Sequence, residues 1–303
     1  MAITAKLVKQ LRDMTGAGMM DCKKALVETD GNIEKAVDVL REKGLAKAAK
    51  RSDKVAAEGL VREAFSDDHK KAVLIEVNSE TDFVAKSPDF IEFVESIADV
   101  TLKSESKTLD ELMKVKMDGE KSVEDVLNDK KSKIGENISI RRFEFMEAEN
   151  TVYTGYIHGG GSIGVIIGME TSASKDEIEK TAKDVAMQVA SMNPKFMKED
   201  EVDAKWLESE KEIAKQQLLN EGKKPELIEK IVPGKIKKVL NEVCLVDQKF
   251  VKDSDVTVAQ YIKNSAKELG KDMKLASMLR YEVGEGIEKQ EENFADEVAK
   301  QMK

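Results

Sequence analysis

AVLIEVNSETDFVAKSPDF, residues 72–90, changes its structural period halfway along. Ala72–Val77 is strand-like, apolar except for Glu76 and rich in the β-branched Val73, Ile75 and Val77. Ser87-Pro88-Asp89 opens a helix, because Ser caps a helix start and Pro suits the first helical position. Phe83 therefore falls in a short connection, directly after an acid. Connections usually run over the surface, where a Phe gains nothing from burial within its own chain. Either Phe83 folds back against its own helix, the commoner fate of so apolar a side chain, or it is held out for another molecule to bury.

Reading outward, Val55–Phe65 and Lys71–Val77 flank the turn Ser66-Asp67-Asp68-His69 and form a hairpin. The helix from Ser87 runs to about Lys103. TLDE (108–111) and SVED (122–125) have capping-box spacing and open two more helices, the second ending at Gly135. ISIRRFEFMEA (138–148) alternates as a strand does, and Tyr153–His158 and Ile163–Met169 continue the pattern. A helix carrying Ile178, Ala182, Val185 and Val189 follows. Strands followed by a helix thus occur twice, at 55–103 and 151–192. The echo predicts an α+β class with two similar subdomains and antiparallel sheets.

The first 44 residues read as three short helices. Ile3, Leu7, Leu11 and Met14 share a face of the first, and Met20, Ala25 and Leu26 belong to the second. Ile33, Ala36, Val37 and Leu40 belong to the third, with Gly44 as its C-cap. KAAKRSDK (47–54) reads as a basic linker. Residues 204–243 are two charged helical arms around the turn 220–225. Trp206, Leu207, Ile213 and Leu218 mark the apolar side of one arm. Leu227, Ile231, Ile236, Val239 and Val243 mark the other, which Pro233-Gly234 should break or bend. A mixed segment to about Gly270, a strand over 279–284 and a helical tail complete the chain.

Composition excludes several functions. The 303 residues carry a net charge of −9, unfavourable for sequence-independent binding to phosphate backbones. Residues 1–55 hold 12 Lys/Arg against 8 Asp/Glu, net +4, leaving −13 on the other 248. That first segment has no aromatic residue up to Gly44 on which a base could stack. No apolar run approaches the roughly 18 residues of a membrane span, and the first residues lack the apolar core of a secretory signal. Cys22 and Cys244 are too few and too distant for a disulfide framework, which fits a reducing cytoplasm.

Catalytic chemistry is equally sparse. Only His69 and His158 occur, leaving little scope for a zinc centre. His69 reads as a solvated turn residue. Among 59 acids no carboxylate pair stands out. GGGSIG (159–164) fits G-x-G-x-x-G, but a dinucleotide site needs a helix to open there, and Val165-Ile166-Ile167 reads as a strand. It is a glycine-rich hairpin turn. No catalytic residue, metal ligand or cofactor site is expected.

Five stretches carry a family resemblance: LVKQLRDMTGAGMMDCKKAL (7–26), EVNSETDFVAK (76–86), KIGENISIRR (133–142), YIHGGGSIGV (156–165) and YEVGEGIEK (281–289). In this order they resemble the elongation factor Ts family, guanine-nucleotide exchange factors of the translational GTPase elongation factor Tu. The resemblance implies a ubiquitin-associated-like three-helix domain with its linker (1–55) and a core N-subdomain (56–143). It further implies a core C-subdomain (144–203 and 244–284), an inserted coiled-coil hairpin (204–243) and a C-terminal helical module (285–303). Thr81, Asp82, Phe83 and Val84 would disturb the partner's magnesium site. Arg12, Met19, Met20 and Lys23 would meet a helix of its GTPase domain, although Met20 also suits a core position. Ile134 and Gly135 would form a second core contact, His158 would reach towards the phosphate loop, and Met302 would touch the partner again. Many relatives carry a basic residue where Ser162 stands, so no charge contact is expected at that tip. The expected partner is elongation factor Tu, with no nucleic acid and no membrane, and with a homodimer or 2:2 complex through the hairpin. The alternative class is a binding adaptor whose three-helix domain holds a peptide or a ubiquitin-like protein.

Overall fold

The computed structural model describes residues 3–15, 17–51 and 54–288. Helices α1 (Ala5–Thr15), α2 (Met19–Glu28) and α3 (Ile33–Arg51) come first. They enclose a cluster of Val8, Leu11, Cys22, Ala25, Leu26 and Ala36. Cys22, Ala25 and Leu26 take the inner face of α2, so Met20, Lys23 and Val27 share the outer one. Met20 is accordingly 63% exposed rather than core. Met14 is also exposed, because it overhangs a cleft beside the last turn of α1 instead of pointing into the cluster.

Next come β1 (Glu58–Phe65), β2 (Lys71–Ser79), the one-turn α4 (Asp82–Ala85), α5 (Pro88–Ser104) and α6 (Leu109–Lys114). A minor ladder of β3 (Lys116–Asp118) and β4 (Lys121–Ser122) leads into α7 (Val123–Ile134), followed by β5 (Ser139–Glu147). Both capping boxes form, Thr108 with Glu111 and Ser122 with Asp125, and Gly135 ends α7 at φ +80°. β1, β2 and β5 make an antiparallel sheet with β2 in the centre. Leu60, Ala64, Val73, Ile75 and Val77 lie on the face covered by α5, through Phe90, Phe93, Val94 and Ile97. Val61, Ala72 and Leu74 lie on the other. β2 is buried on both faces, hence its apolar run Ala72–Ile75 and Val77, with Glu76 the one charge inside it.

α3 does not stop at Gly44. A Cβ there would meet Ser132 Oγ of α7 at 2.6 Å, so this glycine serves close helix approach rather than a cap. Arg41 of α3 also pairs with Asp125 of α7 at 2.6 Å. The expected linker therefore begins as helix, up to Arg51.

The second sheet contains β6 (Thr151–His158) and β7 (Ile163–Thr171), with α8 (Lys175–Met192) after them. α9 (Ala204–Asn220) and α10 (Pro225–Val243) form the hairpin. Then follow the short β8 (Lys249–Phe250) and β9 (Asp253–Thr257), α11 (Val258–Leu269) and β10 (Met273–Glu282), which begins six residues before the predicted strand. β7 is central and antiparallel to β6 and β10. Val152, Val165, Ile167 and Met169 face α8, while Tyr153, Ile166 and Tyr281 face Val61, Ala72 and Leu74 of the first sheet. The order of layers is therefore helix, sheet, sheet, helix. His69 is part of that seam, not merely solvated. Its Nδ1 lies 2.8 Å from Tyr153 O, and its ring stacks on Phe65.

The hairpin differs from expectation in phase. Ala214 and Leu218 pack against Ile228, Val232 and Ile236, while Ile213 and Leu227 face outward. Pro233 does not break α10, because Val232 and Ile236 on either side are held against α9. At its neck, Lys195 and Phe196 donate their amides to Val243 O, and Leu245 donates to Phe196 O.

Candidate functional site

Phe83 is 84% exposed. A helix of one turn cannot turn every apolar side chain inward. Val84 packs on the core under the first sheet and Ala85 is buried, which sends Phe83 the other way. Thr81 caps the turn by accepting from Val84 N, and Ser87 N closes it onto Val84 O. Asp82 stays at the surface, paired with Lys86 at 2.6 Å. That hydrogen bond lowers the Asp82 pKa, so the carboxylate beside Phe83 is charged at neutral pH.

The turn is fixed to the segment after α7 by two acids. Thr81 N and Oγ1 donate to the Glu136 carboxylate at 3.1 and 2.7 Å, and Asn137 N donates to Glu80 Oε1 at 2.6 Å. Ile134 and Gly135 immediately precede Glu136, so they are brought next to the turn that Thr81 caps. Ile134 is half-buried against the same core as Val84. Nothing lies within 4 Å of where a Gly135 Cβ would be, so the glycine answers to its positive φ alone.

His158 ends β6 and is exposed, its Nδ1 lying 3.0 Å from Tyr156 Oη. Residues 159–162 make the hairpin turn, and Ser162 Oγ folds back to donate to His158 O. Gly161 O accepts from Val61 N at 2.8 Å, and Arg62 Nη1 donates to Gly160 O. The tip thereby sits on the middle of β1, whose first residue, Glu58, pairs with Ser79 just before the Phe83 turn. The Phe83 turn, with Ile134 and Gly135 next to Glu136, thus lies at the Glu58–Ser79 end of the β1–β2 ladder, while the tip after His158 is bonded to the same strand at Val61 and Arg62.

Arg12, Met19, Met20 and Lys23 lie apart on α1 and α2, all exposed. Their helices overlook a cleft of about 350 Å³ against α7, lined by Met14, Ala17, Leu40, Val126 and Lys133 among others. Met302 falls outside the described residues. Among the described residues, no group of three or more His, Cys, Asp or Glu could hold a metal ion, and no helix is long and apolar enough to cross a membrane.

The residues that sequence reasoning missed are the acids. Glu80 and Glu136 hold the turn, and the fully buried Glu76 binds Arg141 Nη1 at 2.9 Å and Arg142 Nε at 2.7 Å. One available signal was that each of Glu76, Glu80, Glu136 and Arg141 lies inside a motif stretch.

A protein-family model described as Elongation factor TS matches residues 80–285. An elongation factor Ts of Clostridium perfringens (strain ATCC 13124) is 52% identical over 298 residues, 98% of each chain. That of Clostridioides difficile (strain 630) is 52% identical over 301 residues, 99% of each. One from Clostridium botulinum (strain Alaska E43) is 50% identical over 300 residues, again 99% of each. With matches of this extent and an antiparallel α+β architecture, the chain belongs to the elongation factor Ts family of translation elongation factors.

Proposed function

We propose that this chain releases GDP from elongation factor Tu by non-covalent exchange, with Phe83 and Asp82 as the wedge that loosens the partner's magnesium. The observation that carries the reading is a large apolar side chain, 84% exposed, on a turn whose cap and flanks are fully engaged. An exchange factor forms no covalent bond. It binds the nucleotide-free GTPase more tightly than the nucleotide-bound form, and by linkage it weakens nucleotide as much as nucleotide weakens it. Magnesium holds nucleotide through strict octahedral geometry, so a small displacement of one protein element beside the ion is costly. Burying a Phe side chain gives about 1.5–3 kcal/mol, one to two decades in an equilibrium. That is too little alone, and the work is shared. Ile134, Gly135 and His158 supply neighbouring contacts. Arg12, Met19, Met20 and Lys23 hold a second surface of the partner.

The α9–α10 hairpin meets a second copy of the chain. Leu219 and Leu227 are exposed near its tip, and an apolar groove runs along Ile228, Val232 and Ile236. The protein works in the cytoplasm, where its partner does. Release of labelled GDP from elongation factor Tu, with and without the chain, tests the reading. Unchanged release together with capture of a peptide by α1–α3 would favour an adaptor, a role to which the exposed Met20 and Val27 would also suit the chain.

A further inference from the structure

We infer that Glu136, acting with Glu80, is the positioning residue of the wedge. The two acids make a reciprocal clasp. The side chain of Glu136 takes the backbone amide of Thr81, and the side chain of Glu80 takes the backbone amide of Asn137. Each acid thus holds the residue that follows the other, and the two segments cross-brace over 57 positions of sequence. The Thr81 hydroxyl adds a third link. It accepts from Val84 N while donating to Glu136 Oε1 at 2.7 Å, so the helix cap and the clasp share one hydrogen-bond chain. Asn137 carries the brace further by donating its side-chain amide to Lys54 O at 2.8 Å.

The consequence for Phe83 is mechanical. A four-residue helix has no stability of its own, and a wedge that yields when pressed displaces nothing. Charge-assisted hydrogen bonds to a half-buried carboxylate stiffen the turn and fix it relative to Ile134 and Gly135. The pair then meets the partner as one rigid edge. Glu136 touches the turn and not the reacting site, so its effect should appear in the rate of release more than in binding.

This inference rests on the exchange reading above. The experiment measures labelled GDP release from magnesium-loaded elongation factor Tu across a range of factor concentrations. The proteins are the full chain, Glu136→Ala, Glu136→Gln, Phe83→Ala and the double variant Phe83→Ala/Glu136→Ala, with thermal unfolding recorded for each. Glu136→Ala should lower the maximal stimulated rate on the order of tenfold, the size expected when charged hydrogen bonds are lost. Half-saturation should move far less. Glu136→Gln keeps one acceptor oxygen and should fall between. The double variant should be slower than Phe83→Ala by less than about twofold, because coupled residues are not additive. Failure of the full chain itself to stimulate release would sink the exchange reading, and normal exchange by Phe83→Ala would sink the wedge on which the clasp acts. An impaired Phe83→Ala with a normal Glu136→Ala, or full additivity of the two, would overturn the clasp and leave that reading standing. If Glu136→Ala fails to fold, Glu136→Gln and Thr81→Val decide, and normal maximal rates in both would overturn the clasp.

Discussion

The amide of Gly284 donates to Glu76 Oε1 at 2.8 Å, from 208 residues further along the chain. Around that carboxylate, Arg141 and Arg142 close from β5, and Arg142 also reaches Glu282 O, Glu285 and the face of Tyr281. Burial raises the pKa of Glu76, but the hydrogen bonds from Gly284, Arg141, Asn78 and Arg142 outweigh it and the net shift is downward. The first sheet and the end of β10 are thus held by one buried anion. Glu76→Ala would leave two arginines and an amide facing an empty site. Breaking a buried pair from one side costs about 3–5 kcal/mol. A large fall in unfolding midpoint is expected, and a change of only a degree or two would contradict it. A depressed carboxylate pKa also means that this stability is present above the unfolded pKa and is lost as pH falls through the folded one.

Phe83→Ala should leave the unfolding midpoint nearly unchanged, since exposed substitutions stay within about ±0.5 kcal/mol. It should slow stimulated GDP release markedly, and Asp82→Ala should act on the same step. Removing magnesium with a chelator should shrink the gap between wild type and Phe83→Ala. A gap that persists without magnesium would show that Phe83 acts elsewhere.

Glu63 presents the opposite titration. It lies between the sheets, where a Cβ on Gly155 would sit 1.9 Å from its Oε2, and that oxygen has no hydrogen-bond partner among the described residues. Burial raises its pKa to about 7, against the opposing charges of Lys183 and Arg62. The folded state therefore holds a proton that the unfolded chain has released. Its stabilising effect is complete below the unfolded pKa near 4.5 and disappears as pH rises to about 7. Glu63→Gln should raise stability at pH 8 by about 1–3 kcal/mol and change it little at pH 5. Unfolding curves at the two pH values compare the variants directly, and an equal effect at both would rule out the titration.

Replacing residues 209–238 with a short Gly/Ser link should preserve the core, because the neck bonds of Lys195, Phe196 and Leu245 remain. Oligomeric mass should fall while the exchange rate changes less. Sedimentation showing the same mass for both proteins would remove the hairpin from self-association.

Features specified by neighbouring residues were legible in the sequence. The capping boxes at Thr108 and Ser122, Pro88 at its helix start and the strand alternation all act within a few positions. What escaped depends on distant partners. Gly44 looks like a cap until α7 is packed against it. His69 looks solvated until Tyr153, 84 residues away, supplies a carbonyl. Leu227 and Ile228 are adjacent and both apolar, so only contact with α9 decides which turns inward. Phe83 is the same kind of case. Its direction follows from Val84 and Ala85 claiming the core and from Glu136 holding Thr81, and no local period encodes either.

The hydrogen-bonded neck at Phe196 and Cys244 makes the hairpin a side branch of the chain. Its two ends are already joined, so the layers beneath do not register how far the arms extend. Whole turns added or removed in matched pairs would move the tip at Gly222 by about 1.5 Å per residue pair and leave the sheets in place. The hairpin is therefore a ruler of adjustable length. A pair of copies joined through it could be set closer together or further apart without altering the surface that carries Phe83.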